Sequence, residues 1–266
     1  MNSKFDEIIK KSRPVDNELM RVLFNNNIPL AQEMLEIILQ RNDFSIKSFT
    51  IEKVIPSLAT HSIRLDILAI DKDNNYFNIE VQNTDEKDLL ERSRYYTGMI
   101  DTKKFEKGEN YKNLTDTYII FITSFDPFGD NSPIDEIELS YKYSKKRISD
   151  GSHRIFVNGN NQNKKTALGR LMYDLQCSDP NKMQTKELKK SVEYYKNTER
   201  GRIEMCEELQ KIVDEESEKI AMETKKEVVK TSLEEKLPIE IIKRIAKVNE
   251  QFIYNVANEN QLQVNH

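Results

Sequence analysis

The sequence predicts an α/β protein. A mixed sheet core in the order α-β-β-β-α-β is flanked by helices and followed by a helical C-terminal extension. Three observations predict it. Ile63 to Gln82, IRLDILAIDKDNNYFNIEVQ, holds two strand-like runs on either side of a polar turn. Thr117 to Thr123, TYIIFIT, is a continuous apolar run, as in a strand buried on both faces. From Thr166 onward apolar residues recur at helical spacing.

Taken in order, the chain opens on an extended Ser-Arg-Pro piece. Helical periodicity starts near Asp16, with Leu19, Leu23 and Phe24, then Ala31, Met34, Leu35, Ile38 and Leu39. Pro29 splits this stretch and sits in the first turn of a second helix. Phe44 to Ile55 reads as a strand ended by Pro56, and the two runs of the hairpin make it a three-stranded meander. Asn83 to Lys104 reads as a helix, with Asn83 and Glu86 spaced as a capping box. Leu89, Ser93, Tyr96 and Ile100 form one face of it. After the buried strand, Ile137, Leu139 and Tyr141 suit an edge strand, and Ile155 to Val157 another.

The division expected is 1–165 for the core with its N-terminal helices and 166–266 for the helical region. That region holds helices at Ala167 to Leu175 and Met183 to Lys196. A long helix follows from Arg200 to Lys236, with eight Lys/Arg and eleven Asp/Glu. Its heptads are imperfect, so a solvated helix and a coiled-coil arm supporting a homodimer both remain open. The last two short helices, around Ile239 to Ala246 and Phe252 to Val256, suit either a packing hairpin or a terminal helix-turn-helix.

Composition narrows the function. The chain has 266 residues and a net charge of −4, so any nucleic-acid contact needs a local basic patch. No apolar run approaches the ~20 residues of a membrane span, and Met1 to Lys11 does not read as a signal peptide. Cys177 and Cys206 have no metal-like spacing with His61, His153 or His266, which argues against zinc. A reducing cytoplasm is the expected location.

The hairpin carries the chemistry. Ile63, Leu65, Ile67 and Ala69 alternate with Arg64 and Asp66, and Phe77, Ile79 and Val81 with Asn78, Glu80 and Gln82. Both runs therefore read as half-buried strands. If the turn centres on Asp73, Asp66 faces Glu80 and Arg64 faces Gln82. Two carboxylates so placed repel each other unless a cation lies between them. Asp66, Glu80 and the Val81 backbone carbonyl offer the hard oxygen atoms that Mg²⁺ or Mn²⁺ takes. Gln82 lies on the face of Glu80, where a phosphodiester-cleaving metal site would use a lysine to orient water and stabilise anionic oxygen. It hydrogen-bonds but brings no charge. On a solvated hairpin the same acids merely point at water.

RLDILAIDKDNNYFNIEVQ, followed by LLERSRYYTGMI, resembles the PD-(D/E)XK nuclease superfamily. Within it the sequence is most similar to the recombination-promoting nuclease (Rpn) or PD-(D/E)XK transposase family of bacteria, in which E-x-Q is common. The similarity runs from Arg13 to about Lys196 and includes HRIFVNGN. It implies a restriction-endonuclease-like core and a Mg²⁺-dependent (or Mn²⁺-dependent) DNA endonuclease tied to recombination or mobile elements. Asp66, Glu80 and Gln82 would be its catalytic residues. The early D-x-x-F-K-type segment departs: Asn17 stands where an acid is often found, and Met20-Arg21 replaces Phe-Lys. Glu18 and Glu36 are alternative acids, and the spacing selects neither. With the negative net charge, this leaves a second reading, a DNA-binding or regulatory protein on an inactive nuclease core.

DNA contact needs positive charge. Arg92 and Tyr96 lie on the helix after the hairpin. Lys142, Lys145, Lys146 and Arg147 cluster with Tyr141 and Tyr143, and Lys164, Lys165 and Arg170 form a second group. These are the DNA-binding candidates, with a solvated surface as the plainer account of the two clusters.

Overall fold

The computed structural model describes residues 3–55, 63–84, 87–105 and 108–265, leaving aside the side chains of residues 3, 4, 17, 18 and 216. They form two compact units, Met1–Met205 and Cys206–His266.

The first unit begins with helices α1 (Ser3–Lys11), α2 (Asn17–Phe24) and α3 (Ile28–Leu39). Strands β1 (Ile46–Ile55), β2 (Ile63–Asp71) and β3 (Tyr76–Gln82) follow, then α4 (Leu89–Lys104) and β4 (Thr117–Thr123). Short strands β5 (Ile134–Glu136), β6 (Leu139–Ser140) and β7 (Arg147–Ile148) precede β8 (Ser152–Asn158). Helices α5 (Ala167–Leu175) and α6 (Lys186–Asn197) come next, and α7 (Glu199–Glu234) starts in this unit. The predicted α-β-β-β-α-β order is present.

Six strands form one mixed sheet in the order β1-β2-β3-β4-β8-β5. The β1-β2-β3 meander is antiparallel, while β3, β4 and β8 run parallel. A parallel neighbour needs a crossover, which α4 supplies between β3 and β4. All of β4 is buried, as its apolar run predicts. Helix α4 covers one face, where Leu89 and Ile100 join Ile119, Phe121 and Phe156 in the core. Helix α3 packs on β1 and borders Tyr118 and Ile155 on the other face.

The hairpin turn is built by Asp71. Its buried carboxylate accepts from the backbone N–H groups of Asp73 (2.9 Å) and Asn75 (2.8 Å). Asn74 takes the left-handed conformation (φ 63°), which Asn tolerates better than most residues. The resulting pairs run from Ile70↔Tyr76 to Ile67↔Ile79. This is the register expected of a turn centred on Asp73.

Four expectations differ. A helix, α1, precedes the Ser-Arg-Pro piece, anchored by buried Ile9 on a short segment whose other residues are mostly polar or charged. Helix α4 starts at Leu89 after an Asp88 N-cap, and the Asn83 amide donates to Val15 O (3.2 Å). Asp85 and Glu86 lie outside the described residues. The edge strand is Ile134–Glu136, with Leu139–Ser140 turned out into a separate two-stranded ribbon. Finally, β3 is not half-buried: Asn78 and Glu80 on its polar face are covered as fully as Phe77 and Ile79.

Two carboxylates join the helices of this unit. Glu33 on α3 accepts from the first-turn N–H groups of Lys186 (3.1 Å) and Glu187 (2.7 Å). They would otherwise lack partners at the start of α6. Buried Asp174 on α5 accepts from the N–H of Thr185 (2.6 Å).

The second unit contains the rest of α7 with α8 (Ile239–Ala246) and α9 (Glu250–Asn260). Val229 and Leu233 pack with Ile239, Ile242, Ile253 and Val256 as a small apolar cluster. Lys247, left-handed at φ 51°, closes α8, and Asn249 caps α9 by accepting from the Phe252 N–H (2.9 Å). Among the described residues no helix is long and apolar enough to cross a membrane.

Candidate active site

Beyond the Ile67↔Ile79 pair, carboxylates replace backbone partners. The Asp66 N–H donates to Glu80 Oε1 (3.2 Å), and the Val81 N–H donates to Asp66 Oδ2 (3.0 Å). Each acid is thus fixed by the opposite strand. The Asn78 amide donates to the same Glu80 oxygen (2.9 Å). Tyr76 N–H and Gln82 C=O bond across to the β4 side. Backbone groups alternate sides along a strand, so Val81 directs both its N–H and its carbonyl toward β2 and Asp66.

Glu80 is 2% exposed. Burial first, and the neighbouring Asp66 second, push its carboxyl up to about 8. The Asn78 and Asp66 hydrogen bonds and the Arg92 charge pull the other way and are outweighed. Burial likewise raises Asp66, opposed by the Val81 N–H, Arg64 and Arg92. Without a cation, one proton therefore stays with the pair at neutral pH.

Helix α4 brings Arg92 and Tyr96 to this point. An Arg92 guanidinium nitrogen lies 3.9 Å from Glu80 Oε2 and donates to the Tyr96 hydroxyl (3.4 Å). The guanidinium also stacks over the Tyr96 and Phe121 rings, at 5.6 and 5.3 Å from their centroids. Gln82 sits half-buried at the end of β3, and its amide has no hydrogen-bond partner among the described residues. Asp66, Glu80, Val81, Gln82, Arg92 and Tyr96 are thus assembled in one place.

Lys142, Lys145, Lys146 and Arg147 are not. They lie on the β6–β7 ribbon, which leads into the N-terminal end of β8. The Thr117 N–H bonds to Gly151 O at that end of the sheet. Glu80 and Gln82 lie toward the opposite end, level with Phe121 and Thr123 of β4. Lys164, Lys165 and Arg170 follow the C-terminal end of β8, where Lys164 stacks on Tyr173 and Arg170 bonds to the Lys164 carbonyl. Glu36 accepts from the Gln32 amide (2.8 Å). The Asn17 and Glu18 side chains, His61 and His266 lie outside what is described.

Sequence reasoning missed Asn78 and Glu52. Asn78 shows the same alternation as Glu80, and only its burial distinguishes it. Glu52 stands on β1 between the pairs Ile51↔Ile67 and Lys53↔Leu65, which puts it opposite Asp66. It binds Arg21 (3.1 Å) and contacts Arg64. Among the described residues no three His, Cys, Asp or Glu side chains form a metal-binding group.

A family model described as PD-(D/E)XK nuclease family transposase matches residues 22–241. The chain belongs to this family. The match includes β1 to β8, and with them Glu52, Asp66, Glu80 and Arg92. The six-stranded mixed sheet and its flanking helices agree with a PD-(D/E)XK fold. PD-(D/E)XK nucleases typically use divalent metals. No curated protein and no solved structure matches the chain.

Proposed function

We propose that this transposase-family nuclease is a Mg²⁺- or Mn²⁺-dependent DNA endonuclease acting in recombination or mobile-element biology. The observation that carries the reading is the buried Asp66–Glu80 pair, fixed across two strands, where burial and the second carboxylate outweigh the nearby Arg92 charge. The donors suit such an ion. Two carboxylates and the Val81 carbonyl are all hard oxygen ligands, and Mg²⁺ characteristically takes one or two carboxylates plus water and phosphate. Bound there, the ion would supply an activated water and neutralise charge on the phosphate.

The protein groups divide the remaining work. The Gln82 amide, unpaired among the described residues, would orient the attacking water. Arg92 would face the anionic phosphate oxygens while staying seated on Tyr96 and Phe121. Water oxygen bonds to phosphorus and gives up a proton to solvent, the ester P–O bond breaks, and the departing oxygen takes a proton from solvent. The basic ribbon would touch the DNA backbone away from the cut.

Two further assignments are proposals of the same kind. Cys177 and Cys206 are not joined in a disulfide, which suits a reducing cytoplasm. Exposed Val213, Ile220 and Met222 on α7 suit a homodimer through the C-terminal helices, which sedimentation of the full chain tests.

Calorimetric titration with Mn²⁺ tests the metal site. The expected result is saturable binding to the wild-type chain that D66A and E80A abolish. No binding to a folded wild-type chain favours the second reading, an inactive DNA-binding core.

A further inference from the structure

Glu52 has a backbone unlike any other strand residue. Its φ is +50°, and it is the only non-glycine residue with positive φ inside a strand among those described. The others lie in turns, loops or helix caps. Such a conformation in a glutamate is unfavourable and persists only where its surroundings enforce it. Here it sets a carboxylate on β1 opposite Asp66, so that Glu52, Asp66 and Glu80 stand on three adjacent strands.

This third acid does not complete a metal-ligand set with the other two. It engages two arginines instead. Arg21 reaches Glu52 Oε2 from α2 (3.1 Å) and is only 11% exposed. Arg64 reaches Oε1 from β2 and is 52% exposed. The Arg64 contact is an ion pair with no hydrogen-bond alignment at Oε1. Arg64 shares a strand face with Asp66, since side chains two apart project to one side. Its charge acts on Asp66. The acidic pair therefore has Arg64 on one flank and Arg92 on the other.

We propose that Arg64 is a DNA-phosphate-binding residue beside the acidic pair, positioned by Glu52, with Arg21 as the guanidinium that stays on Glu52 when Arg64 turns to the phosphate. This rests on the nuclease reading above. A guanidinium matches two phosphate oxygens with two parallel N–H bonds, which an ammonium does not. Arg64 is the exposed member of its pair with Glu52, which is 20% exposed and keeps Arg21 as a second partner, so Arg64 can turn to a phosphate without leaving Glu52 unpaired. Arg21, mostly covered on α2, keeps Glu52 from being left as an isolated charge.

The test is binding of a fluorescein-labelled duplex to the full chain, by anisotropy, in EDTA and in Ca²⁺, across a salt series. R64A is expected to weaken affinity several-fold and to reduce the slope of log K against log salt by about 0.9, the value for one neutralised phosphate. R64K is expected to restore the slope but only part of the affinity. E52Q is expected to keep the slope and weaken affinity, since the charge remains but its placement is lost. Circular dichroism melts identify variants that fail to fold, for which R64Q replaces R64A. An R64A chain of wild-type stability with unchanged affinity and slope overturns the proposal. So does a wild-type chain that does not bind duplex, and that result removes the nuclease reading too. If R64A shows the reduced slope while D66A and E80A cut DNA normally, the catalytic assignment fails and the phosphate site stands.

Discussion

Asp66 and Glu80 are linked across β2 and β3: the Asp66 N–H donates to Glu80 Oε1 at 3.2 Å. Burial and mutual repulsion make this pair hold a proton rather than two full charges. Several consequences can be measured.

Stability of the metal-free protein should fall as pH rises from about 4.5 to about 8, the ordinary and folded values for Glu80. In that window the folded state holds a proton that the unfolded chain has lost, so raising pH favours unfolding. The raised Asp66 acts in the same direction. Thermal melts in EDTA across this range should show the decline, and E80Q should flatten it. Saturating Mn²⁺ should reverse it, because the cation takes the place of the proton.

Asn78→Ala removes the amide that donates to Glu80 Oε1 inside the core. Losing a bond to a buried polar group costs roughly 1–3 kcal/mol, readable by urea denaturation. The bond favours the charged carboxylate, so its loss should move the pH dependence of Mn²⁺ affinity upward.

Arg92→Met keeps the apolar stacking volume and removes the charge 3.9 Å from Glu80. The expected loss in kcat/KM for DNA cleavage is at least about tenfold, equivalent to ~1.4 kcal/mol. Arg92→Lys should recover part of it. Steady-state kinetics at fixed salt check this.

The Lys196 ammonium donates to the carbonyls of Lys10 (3.2 Å), Ser12 (2.5 Å) and Ser178 (2.7 Å). Lys196→Met leaves these carbonyls without that donor, and should cost roughly 1.5–3 kcal/mol by the usual magnitude for bonds to a charged group. Mn²⁺ affinity should not change, because the acidic pair takes no part. Urea melts and calorimetry separate the two effects.

Neutralising Lys142, Lys145 and Lys146 together should weaken duplex binding and lower the salt slope by roughly 0.9 for each phosphate that a lysine no longer neutralises. Cleavage at saturating DNA should stay as in the wild type, since the ribbon lies toward the other end of the sheet from Glu80. Anisotropy and single-turnover cleavage report the two quantities.

Much of this fold was legible in the sequence because its signals are local. The five polar residues Asp71 to Asn75 fixed a turn, and with it the register that brings Asp66 level with Glu80. The apolar run Thr117–Thr123 reads as a strand covered on both faces, and every residue of β4 is buried. Burial of Asn78 and Glu80 was not legible, because alternation looks the same whether a polar face meets water or α4. Nor was Glu52, whose place depends on a positive φ that no periodicity reports. The start of α4 lies at Leu89 rather than Asn83, whose amide meets Val15 O, a partner distant in sequence that local spacing does not report.

Cleavage of supercoiled plasmid by the full-length chain tests the central claim most directly. The account predicts nicking or linearisation that needs Mg²⁺ or Mn²⁺, stops in EDTA, and falls to background in D66A and E80A variants that melt as cooperatively as the wild type. Equal cleavage by both variants and the wild type would contradict the assignment of Asp66 and Glu80.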